Sequence, residues 1–295
     1  MTTRTTIGNL GTPSCNKQTG KPVKLIKVQK KDSTGAFNKI PFGTTIDDSY
    51  VSGLVQNIDT SVRWYPSPLF KTFTSPKEDT VYKTYGDGEK LKIRDGVRSY
   101  TGEFVQLGAE FLCNLNTIDC VNEAFYLVTD TNSIQGYSKD DSGDVYPIPV
   151  TELATVLNYA TDDDIENVSF TIEIPNTVTD CSLETLFNVE SNILEVEGLV
   201  QLQVKAGTPT ASGYSLTISG YGNAYPYLDA TDLAGYDETA DATIAVASIA
   251  QTTATSGVYV VTFTSPTATN VVRLDETAVL TAKGFSFNSV SETIA

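Results

Sequence analysis

The sequence predicts a mainly β protein built as two sandwich-like units in series. Three observations carry that expectation. Thr, Ser, Val, Tyr and Gly are abundant while Met and Trp occur once each, and β-branched and aromatic side chains suit a pleated, half-buried surface. Apolar and polar residues alternate in several stretches, most cleanly at Val168, Phe170, Ile172 and Ile174, and a period of two marks a strand with one buried face. Gly-, Asp-, Ser- and Thr-rich turns separate these stretches at short intervals, as hairpin-connected sandwiches require.

Residues 1–20, with repeated Thr and Gly, read as an extended N-terminal arm. A β domain is expected over residues 21–194. It opens with a basic strand at Val23–Lys30 and a turn through Asp32–Gly35. Residues 36–78 lack clear periodicity and carry several Pro and Gly, which predicts a long loop holding short strands; loops of that length usually bear function or contacts. Thr80–Tyr85 and Glu89–Arg94 alternate around Gly86-Asp87-Gly88, the pattern of a β-hairpin. Asp95-Gly96 then turns into a strand at Val97–Val105. One short amphipathic helix fits Ala109–Leu115, with Phe111, Leu112 and Leu115 on one side. Strands follow at Ala124–Thr129, Ser133–Tyr137 and Val145–Val150, the last an edge because Pro147 and Pro149 interrupt it. A brief helix is expected at residues 151–160, before the alternating strand at Val168–Ile174.

A second unit, an immunoglobulin-like β-sandwich, is expected over residues 195–295. Val200, Leu202 and Val204 alternate with polar residues, and further strands fit Ser215–Ser219, Thr243–Ile249, Val258–Phe263, Val271–Leu274 and Phe285–Phe287. No Cys or Trp follows Cys181, so the buried Cys–Trp–Cys set of antibody domains is missing.

Composition bounds the chemistry. The sequence contains no histidine, which removes the commonest general acid/base and the commonest transition-metal ligand together. No nucleophile–base pair stands out, so no catalytic, cofactor-binding or metal-binding residue is assigned, and the chain is read as a non-enzyme without cofactors. A His-free glycosidase using two carboxylates is the one credible enzymatic form, and a lone Trp64 argues against sugar processing. Cys15, Cys113, Cys120 and Cys181 form no CxxC pair and are read as reduced, buried thiols. Asp162-Asp163-Asp164 with Glu166, and Asp140, Asp141 and Asp144, lack the spacing of a calcium loop and are read as solvated turns. Gly86-Asp87-Gly88 and Gly220-Tyr221-Gly222 are flanked by strands on both sides, unlike a phosphate cradle.

Charge is unevenly spread. The net charge is −16, yet residues 1–100 hold 16 Lys and Arg against 9 Asp and Glu, while residues 101–295 hold 4 against 27. A basic front and an acidic rear suit head-to-tail contact between copies. Lys90, Lys92, Arg94 and Arg98 form an alternating row that could meet phosphates or a neighbour's carboxylates. Leu91 and Ile93 are expected to bury on the opposite face. Tyr221, Tyr225 and Tyr227 cluster as contact candidates. Met1–Leu10 lacks an apolar segment, from which synthesis and folding in a cytosol are expected, and no apolar run is long enough to span a bilayer.

The runs Thr84-Tyr85-Gly86-Asp87-Gly88, Ile93-Arg94-Asp95-Gly96-Val97-Arg98-Ser99-Tyr100, Phe125-Tyr126-Leu127-Val128 and Tyr146-Pro147-Ile148-Pro149-Val150 resemble structural proteins of tailed bacteriophages of Bacteroidetes-type hosts. The order of hairpin, short helix and strands over residues 20–175 is similar to the tail-tube family. That resemblance implies a virion protein made in the host bacterial cytoplasm. Copies of it would form rings or a tube of the tail around passing DNA, touching other virion proteins and using residues 36–78 as a loop onto the next ring. A neck or connector ring, or a head decoration protein, is the alternative in the same class; an adhesin-like surface module is the alternative outside it. Gly257-Val258-Tyr259-Val260-Val261-Thr262-Phe263 is similar to bacterial immunoglobulin-like domains appended to phage structural proteins, which implies a weak host-surface contact.

Overall fold

The structure, a computed structural model, describes residues 20–295 except 87, 95, 106, 119, 141, 163–164, 180–181, 187–188, 221–222, 225–227 and 253–256. The expected arm, apart from Gly20, lies outside the described residues. So do Cys15, Cys181, Asp141, Asp163, Asp164, Tyr221, Tyr225 and Tyr227. The chain divides into two compact units, one ending at Glu197 and the other running Gly198–Ala295 with Val55–Thr60.

The first unit contains β1 (Pro22–Gln29), α1 (Asp48–Val55), β2 (Tyr65–Pro66), β3 (Thr72–Thr74), β4 (Val81–Thr84), β5 (Lys90–Arg94) and β6 (Arg98–Val105). After α2 (Gly108–Asn116) come β7 (Glu123–Thr129), β8 (Ile134–Tyr137), β9 (Ile148–Pro149), β10 (Glu152–Asn158), β11 (Asn167–Ile174) and β12 (Leu183–Leu186). One sheet runs β12-β8-β7-β1-β2 with β9 also on β7; a second runs β10-β11-β6-β3; β4 and β5 pair only with each other.

Alternation decides what these sheets bury. The inward residues of β11 (Val168, Phe170, Ile172, Ile174) and of β6 (Tyr100, Phe104) meet Leu25, Phe125 and Leu127 of the facing sheet in one core. Gly102 of β6 is required there: a Cβ on it would stand 2.7 Å from the Phe170 ring. Helix α2 closes one side of this core with Phe111, Leu112 and Leu115, and Phe111 packs edge-on to Phe104 at 4.8 Å.

Residues 36–78 differ from the expected long loop. They fold back over the other face of the first sheet, burying Ile40, Ile46, Val51 and Trp64, while Phe70 joins the core between the two sheets. Trp64 lies 5.6 Å from Tyr126 of β7 and 6.0 Å from Tyr50 of α1. Helix α1 starts there because the Asp47 side chain accepts the Tyr50 amide at 2.7 Å, the capping bond that a first turn otherwise lacks. No periodicity announced this layer, since its apolar residues arrive singly to fill gaps on an existing sheet. The expected helix at 151–160 is also corrected: the segment is β10, paired with β11 in continuous register from Glu152↔Glu173 to Asn158↔Asn167. Leu153 and Leu157 fit one helix face, but they equally fit alternate positions of a strand, and pairing prevails over local spacing.

The second unit contains β13 (Val200–Thr210), β14 (Gly213–Gly220), β15 (Asn223–Ala224), β16 (Leu233–Asp237), β17 (Ala242–Ile244) and β18 (Val246–Gln251). It continues with β19 (Val258–Phe263), β20 (Val271–Glu276), α3 (Ala278–Ala282), β21 (Phe285–Phe287) and β22 (Val290–Thr293). One sheet runs β18-β19-β14-β13-β21 and the other β17-β16-β20-β22. Lettering β13, β14, β16, β17, β18, β19, β20 and β22 as A, B, C, C′, D, E, F and G gives A, B, E and D in one sheet and C′, C, F and G in the other, the immunoglobulin strand order. The expected single strand at Thr243–Ile249 is two strands in different sheets, so the chain crosses the sandwich at Ala245.

Leu202, Tyr214, Leu216, Tyr259 and Val261 of one sheet pack on Leu233, Val272 and Leu274 of the other. Where antibody domains tie strand B to strand F by a disulfide, the buried Tyr214 hydroxyl donates to the Val272 carbonyl at 3.2 Å. Burial pushes the Tyr214 phenol well above its ordinary pKa, so it stays a donor. In the first unit Lys24 is 2% exposed, and its Nζ donates to the carbonyls of Ile193, Leu194 and Val196 at 3.3, 3.2 and 2.5 Å. That ammonium pins the end of the unit's chain to β1; desolvation lowers its pKa, and the three carbonyls take the place of lost water.

Two stability outcomes follow from these bonds. Tyr214→Phe should cost about 1–2 kcal/mol, because a buried carbonyl loses a partner; calorimetry on the full chain would resolve it as a lower second-unit transition. Lys24→Met should cost about 2–3 kcal/mol by stranding buried carbonyls. Urea unfolding followed by Trp64 fluorescence, the single Trp, would read that loss.

Candidate functional site

The outward face of the sheet β10-β11-β6-β3 is read directly from its register. Glu152, Glu173 and Ser99 lie in one row; Ala154, Thr171, Thr101 and Thr74 in the next; Val156, Ser169, Glu103 and Thr72 in a third; Asn158, Asn167 and Val105 in a fourth. The face is therefore small-residue and polar, with three glutamates and no Lys or Arg. Thr101 and Thr171 share a hydrogen bond at 3.3 Å across it. The bias extends past the face: residues 101–197 hold 19 Asp and Glu and one base, Lys139.

At one edge of this sheet, among the described residues, no further strand pairs with β10. Strand β10 ends the strand order, runs seven residues without a bulge and carries no Pro or Lys. The other terminal strands of this unit's two main sheets are short: β3 has three residues, β12 four, and β2 and β9 two each, ending in Pro66 and Pro149. Natural sheets guard exposed edges by short strands, Pro, bulges or charge. On β10 Glu152 provides such a guard at one end, and helix α2 lies beside the strand, where Thr155 Oγ1 donates to the Asn116 side chain. Val156 and Tyr159 beside it are 55% and 75% exposed.

The second feature is the ribbon β4–β5. Its turn has Gly88 at φ +86°, and every residue of both strands is exposed. The expectation that Leu91 and Ile93 bury is corrected: they are 55% and 57% exposed, because among the described residues no second layer lies under the ribbon. The basic row is also shorter than its spacing implied. Lys90, Lys92 and Arg94 stand on the ribbon, whereas Arg98 belongs to β6 and donates to Ser75 Oγ at 2.7 Å. Arg94 reaches Glu78 at 3.4 Å.

The acidic loop after β8 has a structural job. Asp144 accepts the Phe42 amide at 2.9 Å and the Lys39 ammonium at 2.6 Å, which holds its carboxyl below the usual range and raises Lys39. Asp140 accepts from Ser142 and, at 3.1 Å, from the Tyr146 hydroxyl, and its pKa is lowered by the Ser142 bonds. Asp162 and Glu166 are described, but the two residues between them that would complete their cluster are not. Among the described residues no three metal-ligating side chains converge. The four-cysteine expectation changes in one respect. Cys113 and Cys120 are expected to be buried, but Cys113 is exposed and Cys120 half-buried.

Sequence reasoning found the ribbon's cations and missed Glu103, Glu152 and Glu173. The signal lay in the polar partners of Val168–Ile174: once β11 is fixed, its neighbours' outward residues follow by counting in twos. No family model matches the sequence, and no curated protein matches it.

Removal of the Asp144 carboxylate has a local readout. The Phe42 amide should be protected from hydrogen exchange in the native chain and lose that protection in Asp144→Ala. Because the folded carboxyl titrates below its ordinary 3.8, the tie holds above that pH and is released as acid takes the pH down through the lowered value.

Proposed function

We propose that this chain is a non-enzymatic structural subunit that assembles with copies of itself, and that its specific role is that of a tail-tube subunit in a tailed-bacteriophage virion. The observation that supports the reading best is the face of β10-β11-β6-β3 joined to the β10 edge. A polar face with carboxylates and no base repels a polyanion at short range, which is what the wall of a DNA passage needs. A long terminal strand with no further strand paired to it supplies the means of repetition, since an added strand satisfies N–H and C=O groups left unpaired at an edge. The immunoglobulin-ordered second unit fits an outer module making a weak host-surface contact. A neck ring or head decoration subunit uses the same surfaces and is the second reading, favoured by that outer module.

The reading implies partners of the same kind, other virion proteins and passing DNA, with no reaction catalysed. Mass photometry and negative-stain microscopy of the purified chain test it. Rings or stacked tubes are expected, with no retardation of duplex DNA at low salt. A monomer at the highest attainable concentration would overturn self-assembly, and stoichiometric DNA binding would overturn the passage.

A further inference from the structure

A two-stranded ribbon is marginally stable at best in water without a layer beneath it. The ribbon β4–β5 nevertheless holds Val81, Tyr82, Tyr85, Leu91 and Ile93 exposed. Its β5 strand carries Lys90, Lys92 and Arg94 on one side and Leu91 and Ile93 on the other. Strand β10 has the complementary division. Glu152 is on its outward side, next to Glu173 of β11, while Leu153 and Leu157 are only half-buried on its inward side.

We propose that β5 of one copy lies along the edge of β10 in a second copy. The inference rests on the self-assembly reading and names the segments that carry it. In this arrangement one cation of β5 extends the cross-strand pair Glu152–Glu173 and the others lie beside the small or polar outward residues of β10, while Leu91 and Ile93 fall on the same side of the sheet as Leu153 and Leu157. A slip of one residue would set Leu91 against the carboxylates and the lysines against leucine, so the alternation itself fixes which residues face alike. Length agrees too, five residues of β5 against seven of β10. The charge balance of the two segments favours a copy of this chain as the occupant: the cations lie before residue 100 and the carboxylates after it.

The test is a charge swap in the full chain, read by mass photometry with circular dichroism as the fold control. Lys90→Glu with Lys92→Glu alters only exposed ribbon positions. It should raise the concentration for half-assembly about tenfold or more, and the native chain should show a salt-sensitive threshold. Glu152→Lys with Glu173→Lys should weaken assembly likewise, and mixing the two double variants should restore it between unlike copies. Native assembly with unaffected Lys90/Lys92 variants would overturn the ribbon inference while leaving self-assembly standing. Loss without restoration on mixing would place the ribbon on another surface or another protein, and would overturn it too. A native chain that stays monomeric would remove the reading on which it rests.

Discussion

Strand β7 has no side for solvent. From Ala124 to Thr129 every residue is buried, so both faces of its sheet must be covered. One cover is the second sheet, which supplies the aromatic core around Phe104 and Phe170. The other is the segment that carries Ile40, Ile46, Val51 and Trp64. Much else in the first unit follows from that demand, including α1, the Tyr50–Trp64–Tyr126 cluster and the Asp144 tie that fixes the approach at Phe42.

A unit that spends its loops covering β7 leaves the second sheet with a bare outer face. What remains exposed is selective. The edges at β2, β3 and β9 are two or three residues long, whereas β10 runs for seven. The exposed apolar residues of the ribbon and the exposed Val156 and Tyr159 are separate patches, each too small to be a core. The division of charge along the chain sets them apart in sign as well.

Strands with one wet face were legible in the sequence, because burial on one side writes a period of two. That is why β11, β13 and β19 stand near where alternation puts them. Elements whose residues answer to a distant surface left no local signature. Helix α1 is eight residues under a sheet, and its clearest mark is the Asp47 cap, which a polar turn would show equally. The glutamate face illustrates the same limit: Glu103, Glu152 and Glu173 are far apart in sequence and come to one sheet face only through register. Leu91 and Ile93 failed in the opposite sense. Their alternation describes a strand correctly, but alternation cannot say whether anything lies beneath it.

The second unit ties its sheets with a phenol where its antibody counterparts use sulfur. Residues 198–295 contain no cysteine, and the Tyr214–Val272 bond neither forms nor breaks with the redox potential of its surroundings. This sandwich therefore matures without an oxidant and keeps the same inter-sheet tie in a reducing compartment and outside the cell. A module of that kind can be folded in one medium and serve in the other with nothing to re-form in transit.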